Sequence, residues 1–143
     1  MVGNKDSNPK DIAGSGKPPV STLPWPPVYE AGLALLHGGQ KYGRHNWRAI
    51  GVRSSVYFDA AIGHLTAWWE GEDVDPDSGL NHLAHAIAGL MVLRDANLQN
   101  MMNDDRPYAS KVLPREHFAD TSLRLVASCE KPVAPYIERE RHD

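Results

Sequence analysis

Between His64 and His85 the sequence gathers three histidines and five carboxylates within 22 residues. His82 and His85 stand at i, i+3, so a helix would point both from one face toward one metal ion or one phosphate. His64 would join them if Glu70–Gly79 (EGEDVDPDSG) turns one helix back on another. This predicts a catalytic set of His64, Glu70, Glu72, Asp75, His82 and His85, with Glu70 or Glu72 as base. His64, Asp75, His82 and His85 are the candidate ligands of an Mg²⁺ or Mn²⁺ ion. The bland alternative is three hydrogen-bonded histidines at a helix interface. The run from Asp73 begins like an EF-hand loop, but Ser78 stands where the sharp turn needs Gly and Ala84 where the bidentate Glu belongs. A helix-capping acidic turn explains it better than calcium.

The second constellation is basic. Lys10, Lys17, Lys41, Arg44 and Arg48 are interleaved with Tyr42, His45 and Trp47. Cations suit phosphates and a ring suits stacking on a base, so Lys10, Lys17, Lys41, Tyr42, Trp47 and Arg48 are candidate nucleotide contacts. Gly14-Ser15-Gly16-Lys17 is no P-loop, because Pro18 follows the lysine and no helix can start there. Charge is segregated: residues 1–53 hold seven Lys/Arg against three acids, and residues 54–95 hold one against seven. That split suits a site where cations grip phosphate and carboxylates hold metal, though mutual neutralisation on folding explains it equally well. A net charge of −3 gives no strong nucleic-acid signal, and a single cysteine, Cys129, excludes an internal disulfide framework and fits a reducing cytoplasm.

The elements that must position these groups read as all-α: a small bundle of three main helices, with an extended Pro-rich arm at residues 1–27 and an irregular tail at 101–143. The arm carries six prolines and no apolar leader segment, and is expected to form no helix of any length, with Trp25 wrapping it onto the body. Pro27 opens a first helix that Gly38, Gly39 and Gly43 break near Gln40, with Tyr29, Leu33 and Leu36 on one face. The second helix spans Ser54 to Glu70. Phe58, Ile62, Leu65 and Trp69 form its core stripe. The neighbouring stripe of Tyr57, Ala61, His64 and Trp68 reads as a pocket wall, which adds Trp68 to the nucleotide contacts. Asp77 or Ser78 caps a third helix from about Leu80 to Asn97, with Leu80, Leu83, Ala84, Ile87 and Met91 buried. In the tail, Leu123–Ala127 reads as a strand or docked segment. The core, over residues 28–100, is thin, and a homo-oligomer completing the bundle is the natural remedy. No apolar run reaches the length of a membrane span.

Several motifs in fixed order carry a resemblance. Asn8-Pro9-Lys10-Asp11 with Lys17-Pro18-Pro19, KYGRHNWR at 41–48, His64-Leu65 through Gly71-Glu72, Asp75, Ser78-Gly79, and His82-Leu83-Ala84-His85-Ala86 resemble a phage-encoded family labelled dATP/dGTP diphosphohydrolase, N-terminal-type domain. The resemblance covers roughly residues 8–95 and brings Asp11 and Asn46, within its motifs, into the nucleotide-binding set. It implies hydrolysis of purine dNTPs to monophosphates with Mg²⁺, in the host cytoplasm. The sequence departs at Gly63, where a basic residue is expected, so that phosphate contact would fall to Arg53 or Arg94. The paired E-x-x-E and E-x-x-D helices by which MazG-like pyrophosphohydrolases hold Mg²⁺ are missing: Glu30 is followed at i+3 by Leu33, and Glu70 by Asp73 only at a helix end. Three functions stay open: a metal-dependent purine nucleotide phosphohydrolase, a non-catalytic nucleotide-sequestering protein directed against host defence, and a protein–protein interaction module.

Overall fold

In the computed structural model, which describes residues 8–136, the chain divides into two units, residues 1–106 and 107–143. The first unit contains α1 (Pro9–Gly14), a 3₁₀ turn at Val20–Thr22, α2 (Trp25–Tyr42), α3 (Asn46–Ala49), β1 (Val52–Arg53), α4 (Ser54–Trp69), α5 (His82–Leu98) and β2 (Met102–Asn103). The described residues are mostly helical, as expected. Helix α5 is the centre, packing against α4 on one side and α2 on the other.

The helix ends are set by local chemistry. Prolines 26 and 27 open α2, where a missing N–H costs nothing. Gly38 and Gly39 do not break it: the helix runs on to Tyr42 and stops at Gly43, at φ 88°. Asp105 serves as the N-terminal cap of α4, accepting from the Ser55 backbone N–H at 2.8 Å and the Ser54 hydroxyl at 2.6 Å. Gly71 ends α4 in a Schellman motif, with Gly71 N–H on the Trp68 carbonyl and Glu72 N–H on that of Ala67. Asn100, at φ 59°, closes α5 in the same way. The cap of α5 is Asn81, which accepts from Leu83 N–H at 2.8 Å, rather than Asp77 or Ser78. Those two stay in the turn because Val74 and Asn81 bridge antiparallel and Asp75 N–H bonds the Leu80 carbonyl, delaying the helix.

One element departs from an all-helical chain. β1 and β2 pair in parallel, Val52 with Met102 and Arg53 with Asn103, tying the entry of α4 to the exit of α5. Gly51 makes the approach possible: at φ 88°, an added Cβ would sit 2.6 Å from the Met101 carbonyl oxygen. The N-terminal arm also differs from expectation. Asn8 caps the six-residue α1, accepting from Lys10 N–H, and Pro9 occupies its first turn. Trp25 is 44% exposed and starts α2.

The core is built from small residues. Among the described residues, all nine buried apolar ones are Ala or Val, including Ala31 and Ala34 on α2, Ala61 on α4, and Ala88, Val92 and Ala96 on α5. The expected core stripe of α4 is therefore reversed: Phe58, Ile62, Leu65 and Trp69 are exposed, and the stripe of Ala61, Tyr57 and His64 faces inward. Small residues let three helices approach closely, which turns the Ala/His face in and leaves the bulky face out. Likewise Tyr29, Leu33 and Leu36 on α2, and Ile87 and Met91 on α5, are exposed rather than buried.

The second unit holds α6 (Pro114–Ala127), opened by Pro114. Within the segment expected to be irregular, residues 114–127 are helical, so Leu123–Ala127, read as a strand or docked segment, is the end of a helix.

Candidate functional site

The Schellman turn after α4 and the bridge at Val74–Asn81 fold α4 and α5 into a hairpin, and this sets His64 against His82 and His85. The two Nδ1 atoms of His64 and His82 lie 2.8 Å apart, one donating to the other. The His64 ring stacks on that of His85 at 4.8 Å and 10°. His82 is buried and passes its Nε2 to Glu72 Oε1 at 2.7 Å. His85 Nε2 bonds the Ser78 hydroxyl at 2.6 Å and lies 3.4 Å from Asp75 Oδ2. Asp75 is fixed by its own turn, accepting from the Ser78 hydroxyl at 2.9 Å.

Helix α2 closes the other side. His37 and Lys41, one helical turn apart, both reach Asp77 Oδ2, at 3.4 and 2.5 Å. His37 also meets His85 edge-on, with centroids 6.0 Å apart. Between α2 and α4, over α5, opens a cleft of about 970 Å³. His64, His85, Asp75 and Asp77 line one part. Tyr42, Trp47 and Tyr57 supply aromatic walls, and Lys41, Arg44 and Arg53 supply positive charge. The volume is that of a site for a nucleotide-sized ligand.

The electrostatics divide the cleft. Burial, then the neighbouring imidazole, lowers the pKa of His64 and of His85 below the ordinary histidine value, so both are neutral at pH 7 and offer a nitrogen lone pair. Burial works to raise the Asp75 pKa, but hydrogen bonds from the Ser78 hydroxyl and the turn's backbone outweigh it, and the carboxyl stays ionised. Lys41 lowers Asp77 and is itself raised by the same bond. Arg44 and Arg53 have no ion-pair partner among the described residues, so their charge is available to an anion.

Of the residues predicted from sequence, the structure brings His64, His82 and Glu72 into one hydrogen-bonded group and His85 and Asp75 into another, joined where His64 stacks on His85, and sets Lys41, Tyr42, Asn46 and Trp47 along the cleft. It does not bring the others there. Glu70 is the C-cap of α4, outside the cleft lining, and Trp68 lies off it too. Lys10 and Asp11 sit on α1, and Lys17 lines a separate shallow groove beside it. Arg48 is committed to Asp95 by two bonds of 2.8 and 2.9 Å. His37 escaped the sequence reading altogether, although its i, i+4 spacing with Lys41 was a usable signal. Arg44 and Arg53, present among the basic residues, gain their importance only from being unpaired.

A resident Mg²⁺ or Mn²⁺ does not fit this donor set. Among the described residues no three or more His, Cys, Asp or Glu side chains are arranged to hold a metal ion. His82 spends both ring nitrogens on His64 and Glu72, and imidazoles are not the preferred ligands of these hard ions. No helix of the described residues is long and apolar enough to cross a membrane.

Comparison with known proteins agrees with a nucleotide-sized cleft. Residues 7–106 match the family described as dATP/dGTP diphosphohydrolase, N-terminal. A dATP/dGTP diphosphohydrolase of Salmonella phage PMBT28 is 34% identical over 97 residues, covering 68% of this chain and 33% of that protein. The chain thus spans about a third of the length of this relative. No solved structure matches. The α2–α4–α5 layer and its histidine cleft, all within the matched residues, belong to a member of the dATP/dGTP diphosphohydrolase N-terminal family.

Proposed function

We propose that the cleft binds a purine nucleoside triphosphate, with its phosphates toward Arg44 and Arg53 and its base against the aromatic walls, and that the histidine cluster assists hydrolysis to the monophosphate. The observation that carries this reading is the pair of unpaired arginines on a cleft that two neutral histidines also line. The relative's description supports a purine deoxynucleotide as the substrate. In the reaction, a water oxygen attacks phosphorus, the bond to the pyrophosphate oxygen breaks, and the water's proton passes to His64 or His85. Any Mg²⁺ or Mn²⁺ would arrive as the nucleotide's own chelate. The protein would act as a homo-oligomer in the host cytoplasm during phage growth.

The test is calorimetry with dATP, dGTP and pyrimidine counterparts, followed by product analysis with Mg²⁺ or Mn²⁺. Binding that favours purines, with release of pyrophosphate that His85→Ala abolishes, is the expected result. No binding at millimolar nucleotide would overturn the reading and favour an interaction module. A second reading, sequestration without turnover, is favoured by the ligand geometry: Asp75 and Asp77 are already bonded to Ser78 and Lys41. Nucleotide recovered intact after long incubation would select it.

A further inference from the structure

The outward face of α4 is an apolar surface that the three-helix layer leaves bare. Phe58, Ile62, Leu65 and Trp69 recur along one stripe and are 61, 43, 38 and 79% exposed. Helix α5, packed against α4, keeps Leu90 and Met91 at 50 and 46% exposure. None of these residues lines the nucleotide cleft. Within Ser54–Trp69 the single charged side chain is Asp59, about a quarter-turn off the stripe.

We propose that this face is the contact between two copies of the chain, with α4 packed on α4 about a two-fold axis. Three observations select a second copy. First, a two-fold contact sets like against like, which a charged face resists and this neutral one permits. Second, the area is sufficient. The α4 stripe exposes on the order of 500 Å² of apolar surface. Two copies would then bury up to about 1,000 Å², the size at which a specific interface begins. Third, the fully buried core of the layer is all Ala and Val, so the bulky side chains of this stripe find no burial within it, and a second layer supplies what the first lacks. The contact stands apart from the nucleotide reading, since each can fail alone.

Sedimentation of the full chain over a concentration series tests it. The expected result is a reversible dimer. Phe58→Glu and, independently, Trp69→Glu weaken it by about 30-fold or more, as loss of a buried anchor does. Both side chains are exposed in the single chain, so helicity by circular dichroism and nucleotide affinity stay unchanged. Tyr29→Glu, on the exposed face of α2, leaves the dimer intact. A chain that stays monomeric up to its solubility limit overturns the proposal, as does a dimer that dissociates with Tyr29→Glu but not with Phe58→Glu or Trp69→Glu.

Discussion

Arg48–Asp95 and Lys41–Asp77 are both cation–aspartate pairs joining the basic segment to the acidic one, across 47 and 36 residues of sequence. They are built for different purposes. Arg48 grips Asp95 with both arms of its fork, and the Trp47 indole N–H donates to the same carboxylate at 2.7 Å. Asp95 is held at a pKa of about 2, by Arg48 first and Trp47 second. Lys41 touches Asp77 with a single ammonium, the two side chains are 43 and 65% exposed, and His37 competes for the same oxygen. A planar guanidinium fixed by a carboxylate and an indole locks α3 onto α5 as scaffold. A flexible ammonium on the wall of a cleft is a charge that a ligand can recruit. The same charge pattern in sequence thus yields one strut and one site.

Breaking the strut should have the largest effect. Asp95→Ala leaves Arg48 and the Trp47 N–H without their acceptor, and thermal unfolding should move down by about 5 °C or more. The pH dependence follows from the depressed pKa. The contribution of Asp95 is fully present above its unfolded value of 3.8 and is lost as pH falls through about 2. Acid titration followed by circular dichroism should therefore show a shallower loss of stability between pH 4 and 2 in Asp95→Ala. Asp105, also held at about 2 by Ser54 and Ser55, contributes over the same range, as do the lowered carboxyls of Asp75, Asp77 and Asp104. An unchanged melting curve would remove the distinction between the pairs.

Removing the free cations should come next, and should act on binding alone. Arg44→Ala and Arg53→Ala are each expected to weaken nucleotide affinity by about tenfold, as loss of a charge-assisted phosphate contact does, with no change in melting temperature. Arg48→Ala should do the opposite, lowering stability and sparing affinity in the fraction that remains folded. If Arg48→Ala instead abolishes binding while the protein melts normally, the strut is part of the site.

How much of this was legible in the sequence depends on the kind of signal. Helix α4 was placed within a residue because its apolar stripe runs at helical spacing up to the acidic turn, and α5 because that turn must precede it. The meeting of His64, His82 and His85 followed from a helical hairpin. The face of α4 was misread because hydrophobicity ranks Phe58 and Trp69 above Ala61, whereas close helix packing selects by size and turns the small residue inward. Gly38 and Gly39 suggested a break because each costs about 1 kcal/mol in a helix, yet packing of Ala31 and Ala34 on α5 outweighs that cost. Extending α2 by that half-turn carries Lys41 into the site, as His37 before it. Helix α6 was missed because the run Leu123–Ala127 was read by itself, although Ala119, Leu123, Val126 and Ala127 recur at helical spacing. No composition argument could have told Arg48 from Arg53, since pairing with Asp95 is a long-range fact.

The smallest effect sharpens the comparison most. Asp77→Asn keeps the shape of the side chain and removes its charge, so Lys41 and His37 lose an ionic partner that is largely exposed. Exposed pairs contribute little to stability, and the melting temperature should not move. In the cleft the change is felt differently. A negative charge beside the phosphate site disappears, and Lys41 is released to the ligand without first breaking a bond. Nucleotide affinity should rise by about threefold, and the gain should shrink as salt is added, because the interaction is screened. Calorimetry at two ionic strengths reads both effects. A fall in affinity would mean that Asp77 holds the ligand itself, through its hydroxyls or its metal chelate, and that the Lys41–Asp77 pair is a binding device as deliberate as the strut formed by Arg48 and Asp95.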